Sequence, residues 1–163
     1  MNVTSIGQID LPALFPELTQ PQADRLRGAG DELDRLGHPV AWDWHPDHGL
    51  AESPTLHDGI DLIVVSATVN LFETMSDGLD LELVVSREDE WRLTVTATIE
   101  VACWCLEDHG VHVVHTVSWL VGTTDVLVDS FETAVRTMMT WVDGSHDPAM
   151  WRSRAGLPNP AAE

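Results

Sequence analysis

The chain contains no lysine and no tyrosine, and its 163 residues include only two cysteines. All eight basic residues are arginines, and 27 aspartates and glutamates give the chain a formal net charge of −19. No basic patch is visible for nucleic acid or an anionic membrane, whereas basic proteins and cations are attracted by such a charge. The composition is also typical of a high-GC bacterial genome, which says nothing about function.

Long apolar runs are absent as well. No stretch approaches the roughly 18 consecutive apolar residues of a membrane-spanning helix. The first five residues lack the basic and apolar regions of a secretory signal. Cys103 and Cys105 lie two residues apart in a predicted strand, too far to form a disulfide without distortion. We therefore expect a cytoplasmic protein with reduced thiols.

Apolar residues alternate with polar ones between residues 60 and 121. The apolar positions are odd-numbered and fall into four runs, at 63–71, 79–85, 91–105 and 111–121. A period of two places one face of each strand toward a core. The alternation therefore predicts four strands that share one buried face.

Short polar breaks at 76–78, 88–90 and 108–110 separate these runs, which predicts hairpins and an antiparallel meander. A three-residue loop at 108–110 pairs Cys103 with His115, which keeps the apolar faces of the last two strands together. The same register pairs Ile99 with Trp119.

Helical patterns flank the predicted sheet. Thr19 is the expected N-cap of a first helix that ends at Gly37, and Pro21 lies in its first turn. Asp129 and Glu132 form a predicted capping box for a second helix that ends at Gly144. Short strands are expected at 6–11 and 40–44, a long loop between 45 and 59, and an irregular tail at 145–163. The whole predicts a single α+β domain over residues 1–163, with a meander sheet of four to six strands and an N-terminal and a C-terminal helix on one face.

Two kinds of site are suggested by these elements. A pocket between the sheet and the helices is predicted to be lined by Trp91, Trp119, His115, Met138 and Met139. Metal-ligating side chains occur in an Asp-rich loop and on the third and fourth strands, as His45, His48 and His57 and as Cys103, Cys105 and His115. Chance clustering is the simpler explanation of the loop group, and free cysteines on a core face are more simply small buried residues. His115 in an apolar row is more simply a hydrogen-bonded core residue.

The even-numbered face of the sheet is rich in threonine, but one end gathers Ala102, Trp104 and Val114. An apolar cluster of this kind predicts a cover, either the N-terminal segment or a second copy in a homodimer. The predicted turns carry acidic residues at Asp77, at 88–90 and at 107–108, and charged turns are usually only solvated. The first and third turns lie at the same end of a meander, however, and with the loop at 43–58 they predict an acidic rim that attracts a basic protein partner.

The order of elements is similar in outline to the START-like helix-grip fold, which implies a cavity for apolar ligands. Small bacterial immunity proteins and secretion-chaperone-like domains also combine an antiparallel sheet with flanking helices. No nucleotide-binding or nucleophile motif is present. We therefore expect a non-enzymatic protein-binding or regulatory module that self-associates and needs no cofactor. The alternatives are a small-molecule-binding protein or enzyme with a START-like pocket, and a protein that binds a divalent metal.

Overall fold

The computed structural model describes residues 2–45, 62–73, 77–87, 91–101, 110–143, 148–154 and residue 156. Within these residues, six strands form one antiparallel sheet in chain order: β1 Asn2–Val3, β2 Val40–Trp44, β3 Leu62–Glu73, β4 Asp77–Arg87, β5 Trp91–Val101 and β6 Gly110–Val121. The helices are α1 Leu11–Leu14, α2 Gln20–Asp34, α3 Thr124–Asp143 and α4 Pro148–Arg154, and a 3₁₀ turn spans Ile6–Gln8. The predicted α+β meander with flanking helices is confirmed.

The odd-numbered face of the sheet forms the core. Ten of its side chains are fully buried: Ala67, Val69, Leu79, Leu81, Leu83, Val85, Leu93, Val95, Ala97 and Ile99. Helices α2 and α3 pack against each other, and α3 lies over β4, β5 and β6. The buried stripe of α3 includes Leu127, Phe131, Ala134 and Met138, at the spacing expected for one face of a helix. No helix in the described residues is long and apolar enough to cross a membrane.

Helix α2 begins as the sequence predicts. The Thr19 hydroxyl accepts a hydrogen bond from the Gln22 backbone N–H, and the Gln22 side chain accepts one from the Thr19 N–H, at 3.3 and 3.0 Å. This reciprocal pair is a capping box, with Pro21 in the first turn. The helix ends at Asp34 instead of Gly37. Gly37 has a φ of 80° and supplies the left-handed residue in the turn toward β2.

Asp34, at the end of α2, joins three parts of the fold. One carboxylate oxygen accepts a hydrogen bond from Trp42 Nε1 in β2 at 2.7 Å, and the other accepts the Ile6 N–H at 3.0 Å. A carboxylate at a helix C-terminus opposes the helix dipole, so these two bonds explain its position. The strand predicted at 6–11 is wrong, because this segment forms the 3₁₀ turn and the start of α1.

The capping box predicted at Asp129 and Glu132 is also wrong. Helix α3 begins five residues earlier, at Thr124, and the Thr123 hydroxyl accepts the Val126 N–H at 3.3 Å. Both acidic side chains instead bind Arg25 of α2, with an Asp129 oxygen 2.8 Å from the guanidinium. The two carboxylates therefore link the helices instead of starting one.

The sequence predicts an irregular segment at 145–163, but part of it is helical. Residues Pro148–Arg154 form α4. Its Trp151 is fully buried in the core, which anchors the short helix to the rest of the fold.

The predicted register between β5 and β6 is wrong. His115 pairs with Ala97, six residues before Cys103, and Trp119 pairs with Leu93 instead of Ile99. From His115 to Val121 the shift is six residues, an even number that leaves these side chains on the same face, so the alternation could not distinguish the two registers there. Before His115 the shift is seven residues, and Val113 pairs with Thr98 on the other face, contrary to the predicted apolar row. The register also slips between Ala97 and Thr98, which leaves Val114 as the extra residue of a bulge. The strand predicted at 40–44 is confirmed, and β4 ends at Arg87 and β5 begins at Trp91 as predicted. Strand β4 begins at Asp77 and β6 at Gly110, so Asp77, Gly78 and Gly110 belong to strands and not to the predicted breaks.

Two glycines of α2 are expected to respond to alanine in opposite directions. A Cβ at Gly30 would overlap Ile6, whereas a Cβ at Gly28 would meet nothing within 4 Å. Gly28→Ala should raise the free energy of unfolding by about 1 kcal/mol because alanine favours the helix. Gly30→Ala should lower it by about 1–3 kcal/mol through overpacking. Urea denaturation of both variants measures these changes, and a shift of the same sign in both would contradict the packing described.

Candidate interaction surfaces

One face of the sheet is lined by small polar side chains, and we call it the open face. The register places them in two rows across the strands: Ala41, Thr68, Glu82, Thr96 and Thr116, and Asp43, Ser66, Val84, Thr94 and Ser118. Most of these residues are half-buried or exposed, in contrast to the fully buried face beneath the helices. Because threonine and serine side chains are short, this face is flat. Their hydroxyls can form hydrogen bonds, as in the 3.2 Å contact between Thr94 and Ser118.

Two carboxylates mark the middle of the open face. Glu82 and Asp80 lie two residues apart on β4, so both side chains point to this face. Partial burial raises the pKa of Glu82 above its ordinary value, and the negative charge of Asp80 raises it further. Asn70 donates a hydrogen bond to Asp80 at 2.9 Å. A cation placed between the two carboxylates would relieve their repulsion.

A depression of about 570 Å³ lies beside these carboxylates. Its lining combines the first two strands with the open face: Asn2, Val3, Thr4, Pro39, Val40, Ala41, Thr68, Asn70 and Asp80. The depression therefore provides a concave surface with an acidic group at its border.

Strand β6 is one edge of the sheet, and Gly110–Val121 is called the β6 edge below. Its exposed apolar side chains include Val113, Leu120 and Val117, which are 61%, 59% and 38% exposed. A surface depression of about 240 Å³ adjoins Leu120 and is bordered also by Trp91, Val121 and Gly122. No Asp, Glu or Arg occurs between residues 109 and 124. This uncharged run is the signal in the sequence that identifies the surface.

His115 is not the buried core residue that the sequence analysis favoured. It is exposed because it lies on the last strand. Its ring stacks on Trp141 of α3, with centroids 5.4 Å apart, and meets the edge of Trp151 at 6.1 Å. The imidazole thus closes one side of an aromatic cluster instead of facing the apolar row.

The five residues predicted to line a pocket lie at different depths. Trp91 and Met138 are buried, Trp119 and Met139 are partly buried, and His115 is exposed. A cavity found between the N-terminal segment, the sheet and α3 has a volume of about 10 Å³, room for one water. None of the five residues lines it; its walls include Ile6, Phe15, Trp42, Val85 and Phe131. The ligand pocket stays a prediction.

Most of the predicted metal ligands and two interface residues lie outside the described part of the chain: His48, His57, Cys103, Cys105, Ala102 and Trp104. The acidic residues at 88–90 and 107–108 also lie there. His45 is described, with Nε2 3.2 Å from an Asp43 oxygen. Val114 is partly buried against the core. In the described ranges, no three metal-ligating side chains converge, and both metal sites stay predictions.

Comparison with known proteins provides no guide to function. No protein-family model matches the chain, and neither curated proteins nor solved structures show a significant match. A functional proposal therefore depends on the surfaces described above.

Glu82 is expected to make stability depend on pH. Its pKa is raised from the ordinary value of 4.5, so the folded state binds the proton more tightly than the unfolded state. The contribution of Glu82 to the free energy of unfolding should therefore fall as the pH rises through the raised pKa. Glu82→Gln should unfold at higher urea concentration than the parent at pH 7.5, with a smaller difference at pH 4. A constant difference between these two pH values would contradict the raised pKa.

Proposed function

We propose that the chain is a protein-interaction module that self-associates by pairing the β6 edges of two copies. The observation that carries this proposal is the long, uncharged β6 edge with exposed apolar side chains. Every second residue of an edge strand directs its backbone N–H and C=O away from the sheet. Such an edge is a template for another strand.

The two ends of the sheet differ in how they are protected. At one end, β1 has only two residues, which is a common way to prevent unwanted pairing. At the other end, β6 has 12 residues and contains no proline or charged side chain. Its bulge at Val114 affects the first part of the strand, and the register from His115 to Val121 is regular. This regular part is available for pairing.

Charge favours a second copy over a basic partner at this edge. Two chains of net charge −19 repel each other over most of their surfaces. They can approach closely only where both contact regions are neutral, as along β6. A basic partner would instead be drawn to carboxylates, which the edge lacks. A twofold axis would then join two six-stranded sheets into one continuous sheet.

Glutamate at the β6 edge should dissociate this dimer. Val117→Glu and Leu120→Glu place a charge on opposite faces of the strand, beside the same charge in the other copy. We expect each variant to weaken the dimer at least tenfold, about 1.4 kcal/mol. Sedimentation velocity over a range of concentrations measures the dissociation constant, and circular dichroism checks that the variants fold.

Ala41→Glu is the matched control, because it adds the same charge to an exposed position of the open face on β2, four strands away from β6. It should leave the dimer intact. If Ala41→Glu dissociates the dimer and Val117→Glu does not, the copies pair through their open faces. A parent protein that stays at 18.0 kDa at every concentration would contradict self-association altogether.

The open face is the part of this module that we propose for a basic protein partner. The proximity of Asp80 and Glu82, the raised pKa of Glu82 and the adjoining depression all favour a cationic side chain. The threonine and serine hydroxyls provide hydrogen-bond partners for the backbone or side chains of such a segment. In a dimer of this kind, two open faces would lie on one extended sheet.

A peptide of alternating arginine and serine is the probe for this face. Asp80→Asn should weaken its binding about threefold to fivefold, about 0.7–1 kcal/mol, because a partly exposed ion pair is lost. Asp31→Asn removes the same charge from the exposed side of α2 and should have less than half this effect in free energy. Fluorescence anisotropy at 50 and 300 mM NaCl measures both. Equal losses in the two variants would show that only the overall charge attracts the peptide.

A further inference from the structure

A groove between α2 and α3 faces away from the sheet. Its volume is about 410 Å³, and it is lined by five charged residues and two small ones: Arg25, Gly28, Ala29, Glu32, Arg35, Glu132 and Arg136. Three of the eight arginines in the chain therefore border one groove. In a protein with a net charge of −19, so many basic side chains around one groove are unusual.

The three arginines are not equivalent. Arg25 is held by Glu132 and Asp129, and hydrogen bonds to these two carboxylates raise its pKa. Arg35 and Arg136 form no ion pair with any residue that the structure describes. The hydrogen bond described for the Arg136 guanidinium goes to the neutral Thr133 hydroxyl, at 3.2 Å. Two guanidinium groups thus keep their charge available to a ligand.

Gly28 lies in the same lining, and packing does not account for it. At position 30, packing requires glycine, because Ile6 occupies the space that a larger side chain would need. The corresponding space at Gly28 is empty, although glycine destabilises the interior of a helix. A glycine at such a position allows a ligand to approach the backbone closely.

We propose that this groove binds a small anion with a carboxylate or phosphate group, held by Arg35 and Arg136 above Gly28. Guanidinium groups recognise both anions through paired hydrogen bonds. Arg25, fixed by its two carboxylates, forms one wall. Glu32 and Glu132 add acceptors, so a ligand that also carries a hydrogen-bond donor fits better than a bare anion. This site is independent of the β6 edge, and its function does not require the dimer.

The test is an NMR titration of the full chain with sodium phosphate and, separately, with sodium succinate, against sodium chloride at equal ionic strength. We expect saturable shifts of the amides of Gly28, Ala29, Glu32 and Arg136 with one anion or both. The arm that saturates identifies the preferred group. If neither arm produces saturable shifts in the groove beyond those of chloride, the proposal is wrong.

Two variants separate a specific site from general electrostatics. Arg136→Gln should weaken binding at least tenfold, whereas Arg92→Gln, on the open face, should change it less than twofold. Equal weakening by both would show only a diffuse charge effect and would overturn the proposal.

Gly28→Ala provides a test that is independent of folding. It should raise the melting temperature and still weaken binding severalfold, because the added methyl group fills the floor of the groove. A stabilised variant that binds with unchanged affinity would refute the role of Gly28.

Discussion

In the part of the chain that the structure describes, helices cover one face of the sheet only, and the other features of the molecule follow from this constraint. The paired helices α2 and α3 cover the odd-numbered face, where side chains such as Leu81 and Val95 are fully buried. The opposite face then has to be polar enough to meet water, which explains its threonines and carboxylates. The outer surface of the helix pair is left for the arginine-lined groove. The three surfaces of interest therefore have different positions because one layer of helices covers one side of one sheet.

The helix layer is itself positioned by polar contacts. Asp34 joins the end of α2 to Trp42 and to the N-terminal turn, and Arg25 joins α2 to α3. Apolar burial provides most of the stabilisation but has little directionality. Hydrogen bonds and ion pairs at defined distances favour one orientation of the helices over others. The carboxylates are thus distributed unevenly: some link the helices, Asp80 and Glu82 lie together on the open face, and β6 has none.

Several errors in the sequence analysis have the same origin. The pair Asp129 and Glu132 has the spacing of a helix cap, but the same spacing on a helix surface allows both side chains to reach Arg25 of another helix. The register of β6 from His115 onward could not be derived from alternation, since a six-residue shift keeps these side chains on the same face, and no local pattern showed the bulge at Val114 that reverses the faces before it. The exposure of His115 depends on β6 being the last strand, and no local pattern reports which strand has a neighbour. Gly28 and Gly30 look alike in the sequence, and only the position of Ile6 distinguishes them.

The sequence alone determined the α+β class, the meander order, the buried face of β4 and β5 and the Thr19 cap of α2. These features depend on residues close together in the chain, through the period of two, the helical period and local hydrogen bonds. Only the tertiary structure decided the β5–β6 register, the partners of Asp34 and Arg25, the exposure of β6 and the existence of the groove. Each of these depends on contacts between residues far apart in the chain. Local periodicity shows which face of a strand or helix is buried, but not which residue lies opposite it.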